Sequence, residues 1–94
     1  MATVRNVERR IRRIEGFDVV FRDQRGRNMR HNAPINPQYP YVNAAKNRWN
    51  VSQWITRRIR PHYLPLQVDV LKANGRRANG RTLLSTVRDT YLED

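Results

Sequence analysis

The sequence contains no cysteine. Disulfide staples and thiolate metal sites are excluded, and a reducing compartment is the expectation. Only two histidines occur, His31 and His62, and neither has neighbours at a spacing that metal ligation uses. There is no Gly-x-Ser-x-Gly elbow, so nucleophilic catalysis lacks its usual carriers. No stretch approaches the roughly 20 apolar residues of a membrane span. Charge begins at Arg5, so the first residues do not resemble a signal peptide. The expectation from these absences is a soluble, cytoplasmic protein with no metal, no cofactor and no membrane partner.

Acid is missing from the middle of the chain. Between Asp23 and Asp69 there is no Asp or Glu. That span carries Arg25, Arg27, Arg30, Lys46, Arg48, Arg57, Arg58 and Arg60, which is +8 of the formal net charge of +11. The flanks add only +2 and +1. With no internal acidic partner, these guanidinium groups are expected to face solvent, a backbone carbonyl or an external anion. Such a field gathers polyanions and speeds their association. Lysine is scarce too: 17 of the 19 basic residues are Arg. Arg meets phosphate through a planar fork and stacks on bases. A GC-rich coding sequence accounts for the ratio equally well, but not for the net charge.

What is present fits one domain. Ninety-four residues expose about 16,000 Å² unfolded and about 5,700 Å² folded, enough for one modest core. Val4, Val7, Ile11 and Ile14 recur at helical spacing, with Thr3 as N-cap and Gly16 beyond the C-terminus. Arg9, Arg10, Arg12 and Arg13 stand in the last turns, as a solvated face that suits the helix dipole or as a phosphate-contacting ridge. Phe17, Val19 and Phe21 alternate as a strand, followed by a turn at Gly26 and a weakly signalled return through Met29. Residues 31–42 form an extended loop, because Pro34, Pro37 and Pro40 keep their preceding residues out of the α region. Tyr39 and Tyr41 either lie on the core as a lid or offer a stacking face.

Asn50 and Gln53 have the spacing of a capping box. Val51, Trp54, Ile55 and Ile59 then make a buried stripe, and Pro61 is expected to end that helix near Arg60. Leu64 to Lys72 is the strongest strand pattern in the chain. The helix between the two good strands could be a crossover, making them parallel neighbours. The turn at 73–81 contains Ala-Asn-Gly-Arg twice. Asn74-Gly75 suits a type I′ hairpin turn, and Asn79-Gly80 leads into a cap at Thr82. Leu84, Val87 and Tyr91 share a helical face, although Thr86, Val87 and Thr90 leave a third strand open. Fraying is expected at Glu93 and Asp94, which lie badly with the dipole. The fold expected is a small single α+β domain of two or three helices on a two- or three-stranded sheet, in the order α-β-(β)-α-β-α.

The leading functional expectation is nucleic-acid binding, DNA or RNA, through an arginine-rich face. Residues 47–63 interleave basic and aromatic side chains, pairing phosphate contact with base stacking. The candidate residues are Arg57, Arg58, Arg60 and Arg48, joined by Arg76, Arg77 and Arg81 beside a helix start, with Arg9, Arg12 and Arg13 as a second patch. Exchanging Arg57, Arg58 and Arg60 together for Gln is expected to leave the fold intact. No zinc finger, RNP motif, GXXG loop or clear helix-turn-helix is present. An alternative is a module that binds an acidic protein or a nucleoprotein surface, such as a ribosome or an assembly of a phage or mobile element. A second alternative is a small metal-free ribonuclease using His62, Tyr63, Arg60 and Arg81. A metal-dependent nuclease built on Asp18, Asp69 and Lys72 has little support, because Asp69 and Lys72 point to opposite faces of a regular strand.

Overall fold

Thr3 and Gly16 delimit the first helix as expected. In the computed structural model, which describes residues 2–35 and 37–92, β1 (Ala2–Thr3) leads into α1 (Val4–Glu15). Thr3 Oγ1 accepts the Asn6 N–H at 3.3 Å, and Gly16 closes the helix in the left-handed region at φ 85°. Val4, Val7 and Ile11 are buried, Ile14 partly so.

The remaining elements are β2 (Asp18–Arg22), β3 (Pro34–Ile35), α2 (Val51–Trp54), a π-helical turn (Ile55–Ile59), α3 (Arg60–Tyr63), β4 (Gln67–Leu71) and α4 (Leu84–Asp89). This is a small α+β domain, and the 82–92 segment holds a short helix, Leu84–Asp89, rather than a third strand. Two antiparallel two-stranded sheets form, β1 with β3 and β2 with β4. The β1–β3 pair, Ala2 opposite Ile35 and Thr3 opposite Pro34, lies in a segment read from sequence as pure loop. The return through Met29 is reduced to one bridge, Arg22 to Asn28, with Met29 N–H bonded to Phe21 O at 2.9 Å.

The strands β2 and β4 are antiparallel, against the expectation of a parallel crossover. Two aromatic contacts explain the direction. Trp54 meets Phe17 edge-on at 5.0 Å, and Tyr63 meets Phe21 at 5.3 Å. The helical segment therefore runs beside β2 in the same direction and finishes at the Arg22 end. A tight turn, Leu66 N–H to Tyr63 O at 2.8 Å, then sends β4 back. Val19 faces Val70 and Phe21 faces Val68, which places the apolar sides of both strands in the core.

Pro61 does not end the helix. The π turn sets Arg60 N–H on Ile55 O, so Pro61 falls in the first turn of a new helical ladder, where its missing N–H is harmless. The wider turn also brings Ile59 and Tyr63 onto the buried side with Trp54. In an unbroken α-helix, Trp54 and Tyr63 would point to opposite sides.

The repeated Ala-Asn-Gly-Arg makes two different structures. Gly75 has φ 84°, but Asn74 does not adopt a positive φ, so the turn is not type I′. Gly75 N–H bonds Lys72 O at 2.8 Å, and Lys72 N–H bonds Arg76 O at 2.8 Å. This is a three-residue hairpin loop with glycine in the bulge position. The turn at Gly26 has the same pattern through Asp23 and Arg27. The second copy lies as a strap across the start of α2, where Gly80 O accepts from Ser52 N–H and Thr82 O from Val51 N–H, both at 2.9 Å. Thr82 is therefore not a helix cap. Leu83 precedes α4 without a side-chain cap, and the Leu84 N–H is bonded by Trp49 O at 2.8 Å. Glu93 and Asp94 lie outside the described residues. Among the described residues, no helix is long and apolar enough to cross a membrane.

Candidate nucleic-acid interface

The candidate residues of 48–63 are placed from Asn50 onward. Its side chain accepts the Gln53 N–H at 2.8 Å, while Gln53 Oε1 accepts the Asn50 N–H at 2.9 Å. The strap holds the next two amides. The amide groups at this helix start are all engaged by the protein itself, so they offer no anion site. Arg81 beside the strap is exposed, and its own N–H bonds Asn79 Oδ1 at 2.9 Å.

Along the helical segment, adjacent arginines take opposite directions. Arg57 is exposed and lies over the half-buried Trp49 ring, 4.9 Å from its centre. Arg58 turns inward, with its side chain only 14% exposed. It stacks on Tyr41 at 4.4 Å and borders Trp49 at 5.7 Å. Its Nη1 reaches Glu15 Oε2 at 2.7 Å and Asn43 O at 2.6 Å. The expectation that this span's cations lack an acidic partner fails at Arg58, because Glu15 comes from α1, and at Arg27, which pairs with Asp23 at 3.1 Å. Burial works to lower the Arg58 pKa, but Tyr39 and Glu15 outweigh it and hold the guanidinium charged.

Glu15 is the residue that the sequence reading missed. Its side chain is fully buried. Oε1 accepts from Ala45 N–H and Arg88 Nη2, both at 2.9 Å, and Oε2 accepts from Arg58 and the Tyr39 hydroxyl. Four donors fill the lone-pair positions of one carboxylate. Arg88 adds bonds to Glu15 O, Ala45 O and Asn47 Oδ1. The Tyr39 hydroxyl titrates far above the ordinary tyrosine range, first because it is buried and then because it donates to Glu15. This knot fastens α1, the π turn, α4 and the loop at 39–47. The signal was present in the spacing: Glu15 is four residues from Ile11, Arg58 four from Trp54, and Arg88 four from Leu84. Each is a charged residue on its helix's apolar stripe.

The other candidates divide by contact. Arg12 lies over the Tyr91 ring at 4.4 Å and pairs with Asp18 at 3.4 Å, and it lines one depression together with Arg9, Glu8 and Asp18. Arg77 pairs loosely with Asp69 at 3.4 Å and lines a shallow depression with Ser52, Asn79 and Gly80, so it reaches the start of the helical segment. Arg9, Arg13, Arg48, Arg60, Arg76 and Arg81 are exposed and have no side-chain hydrogen-bond or ion-pair partner among the described residues.

The aromatic positions are equally specific. Tyr39 is buried as a lid, and Arg10 clasps the loop through Tyr39 O at 2.7 Å and Tyr41 O at 3.3 Å. Tyr41 is half-buried, with its hydroxyl 3.2 Å from His62 Nε2 and 3.4 Å from Arg57 O, the carbonyl that Pro61 cannot serve. Tyr63 is buried against Phe21, and its hydroxyl has no partner among the described residues. Tyr63 is thus not available as a surface catalytic group. Asp18 and Asp69 are each engaged by arginine, Asp69 by both Arg22 and Arg77.

Comparison of the chain with protein-family models, with curated proteins and with solved structures gave no match.

Proposed function

We propose that the chain is a small basic nucleic-acid-binding protein that acts through an arginine-rich face and without catalysis. One observation carries this reading: a half-buried tryptophan bears Arg57 on its ring and Arg58 at its border, in a span free of acidic residues. A guanidinium lying on a ring keeps its edge N–H groups free for phosphate. Arg57, Arg60 and Arg48 supply the accessible charge. Arg58 fixes the platform from beneath.

The test is fluorescence anisotropy with single-stranded and duplex oligonucleotides, DNA and RNA, over a range of salt. Contact with six or so duplex phosphates gives a slope of log affinity against log salt near −5. Affinity that does not change with salt contradicts the reading. Pull-down from lysate with and without nuclease separates it from the acidic-protein alternative, in which capture survives nuclease.

A second reading, the metal-free ribonuclease, draws on one contact. Tyr41 and His62 form a hydrogen-bonded pair among basic residues, whereas Tyr63, one of the residues offered by the sequence for this chemistry, is buried. Cleavage of single-stranded RNA in the presence of chelator, lost in His62→Ala, would favour it over binding alone.

A further inference from the structure

On α1, Arg9, Arg10 and Arg13 surround a depression of about 240 Å³ that Asn6 and Gln38 complete. Among the described residues, no carboxylate lines it. Arg9 and Arg13 are one helical turn apart, a like-charge spacing that weakens a helix and that a bound anion relieves. Arg10 is fixed by its two bonds to the Tyr39 and Tyr41 carbonyls, through Nε and Nη2. Its Nη1 has no partner among the described residues. Gln38 Oε1 is already taken by the Tyr39 N–H at 3.0 Å, so the Gln38 amide offers its NH₂ donors. The depression is thus a concave set of cationic and amide donors, two of them held in place before any ligand arrives. Preorganisation of this kind lowers the ordering cost of binding.

We propose that this depression is a phosphate subsite. Guanidinium forks match phosphate oxygens in geometry and charge. The identity of the carrier, a nucleic-acid strand, rests on the function proposed above; the subsite itself does not. Arg10 also joins the two regions, because the loop it clasps carries Tyr41, on whose ring Arg58 stacks. A strand anchored here lies against the arginine that holds this loop. Its phosphate is either a terminal monoester or a diester within the chain.

Two measurements on the full chain test the proposal. The first titrates inorganic phosphate and follows arginine Nε–Hε resonances. Saturable shifts confined to Arg9, Arg10 and Arg13, and lost in an Arg9→Gln/Arg13→Gln variant, support the subsite. Equal, unsaturating shifts at every exposed arginine overturn it. The second measures affinity for a single-stranded oligonucleotide with a 5′-phosphate or a 5′-hydroxyl. The double variant is expected to bind at least about fivefold more weakly, with a salt slope shallower by about 0.7. A loss confined to the phosphorylated strand assigns the terminal group, and a loss on both strands assigns a passing backbone phosphate. Unchanged affinity and slope on both strands overturn the proposal. If wild-type protein binds neither strand while the inorganic phosphate shifts saturate, the subsite stands and the nucleic-acid reading falls. Thermal unfolding of the double variant at or above the wild-type temperature confirms that its fold is intact.

Discussion

Arg57 and Arg58 are neighbours in sequence and share one tryptophan, yet they belong to different parts of the molecule. Arg58 is locked in a buried knot with Glu15, Arg88 and Tyr39, whereas Arg57 lies on the surface with its guanidinium edge open. Arg88 and Arg60 repeat the contrast. The lesson is that charge in this chain has two functions. A small domain, with 6,245 Å² of accessible surface and so about 60% of its unfolded surface buried, spends part of its arginine on internal hydrogen bonds. Only the remainder is available to a partner. Exchanging Arg57, Arg58 and Arg60 together would therefore confuse unfolding with loss of binding, against the sequence-based expectation that the fold survives.

The contrast breaks most severely at its centre. Glu15→Ala leaves two buried guanidinium groups, the Tyr39 hydroxyl and the Ala45 N–H without their acceptor. Removing one partner from a buried ion pair costs about 3–5 kcal/mol, a large share of a small domain's stability, and urea unfolding is the readout. Arg58→Gln is expected to cost about 2–3 kcal/mol, since Arg88 still pairs with Glu15. Arg57→Gln, at the adjacent position, should change stability by no more than about 0.5 kcal/mol. Equal losses for Arg57→Gln and Arg58→Gln would erase the distinction between them.

The smallest expected effect concerns Glu8. Burial raises its pKa above the ordinary 4.5, opposed by the Phe21 N–H and by His31, while Asp18 adds to the rise. A raised folded-state value means that the ionised form weakens the fold. Its contribution is therefore full below the unfolded value and is lost as pH rises through the folded one. Glu8→Gln keeps an oxygen for Phe21 and removes the charge. It should gain a few tenths of a kcal/mol at pH 7, with the gain disappearing near pH 4. Melting temperatures at the two pH values check this.

Much of the scaffold was legible in the sequence because local chemistry decided it. Thr3, Gly16, and Asn50 with Gln53 act within a few residues of themselves, and the alternation around Val19 and Val70 needs only a core to face. What escaped depended on contacts far along the chain. The direction of β4 follows from Trp54 on Phe17 and Tyr63 on Phe21. The start of α2 is held by a strap nearly 30 residues later, and Pro61 is accommodated only because a π turn precedes it. The candidate site was half legible. Its acid-free span and its aromatics stood out, but Arg58 looked like its neighbours until Glu15 was placed opposite it. A charged residue on a buried stripe was the sign, visible three times and hidden by counting net charge alone.

The most direct test is the salt dependence of oligonucleotide affinity for wild type and for Arg57→Gln/Arg60→Gln, with Arg58 left in place. The double variant should bind about tenfold more weakly at moderate salt, with a slope shallower by about 1 to 2 and an unchanged melting temperature. Coincident lines for the two proteins would contradict the claim that the exposed arginines of this segment, as distinct from the buried ones, contact the ligand.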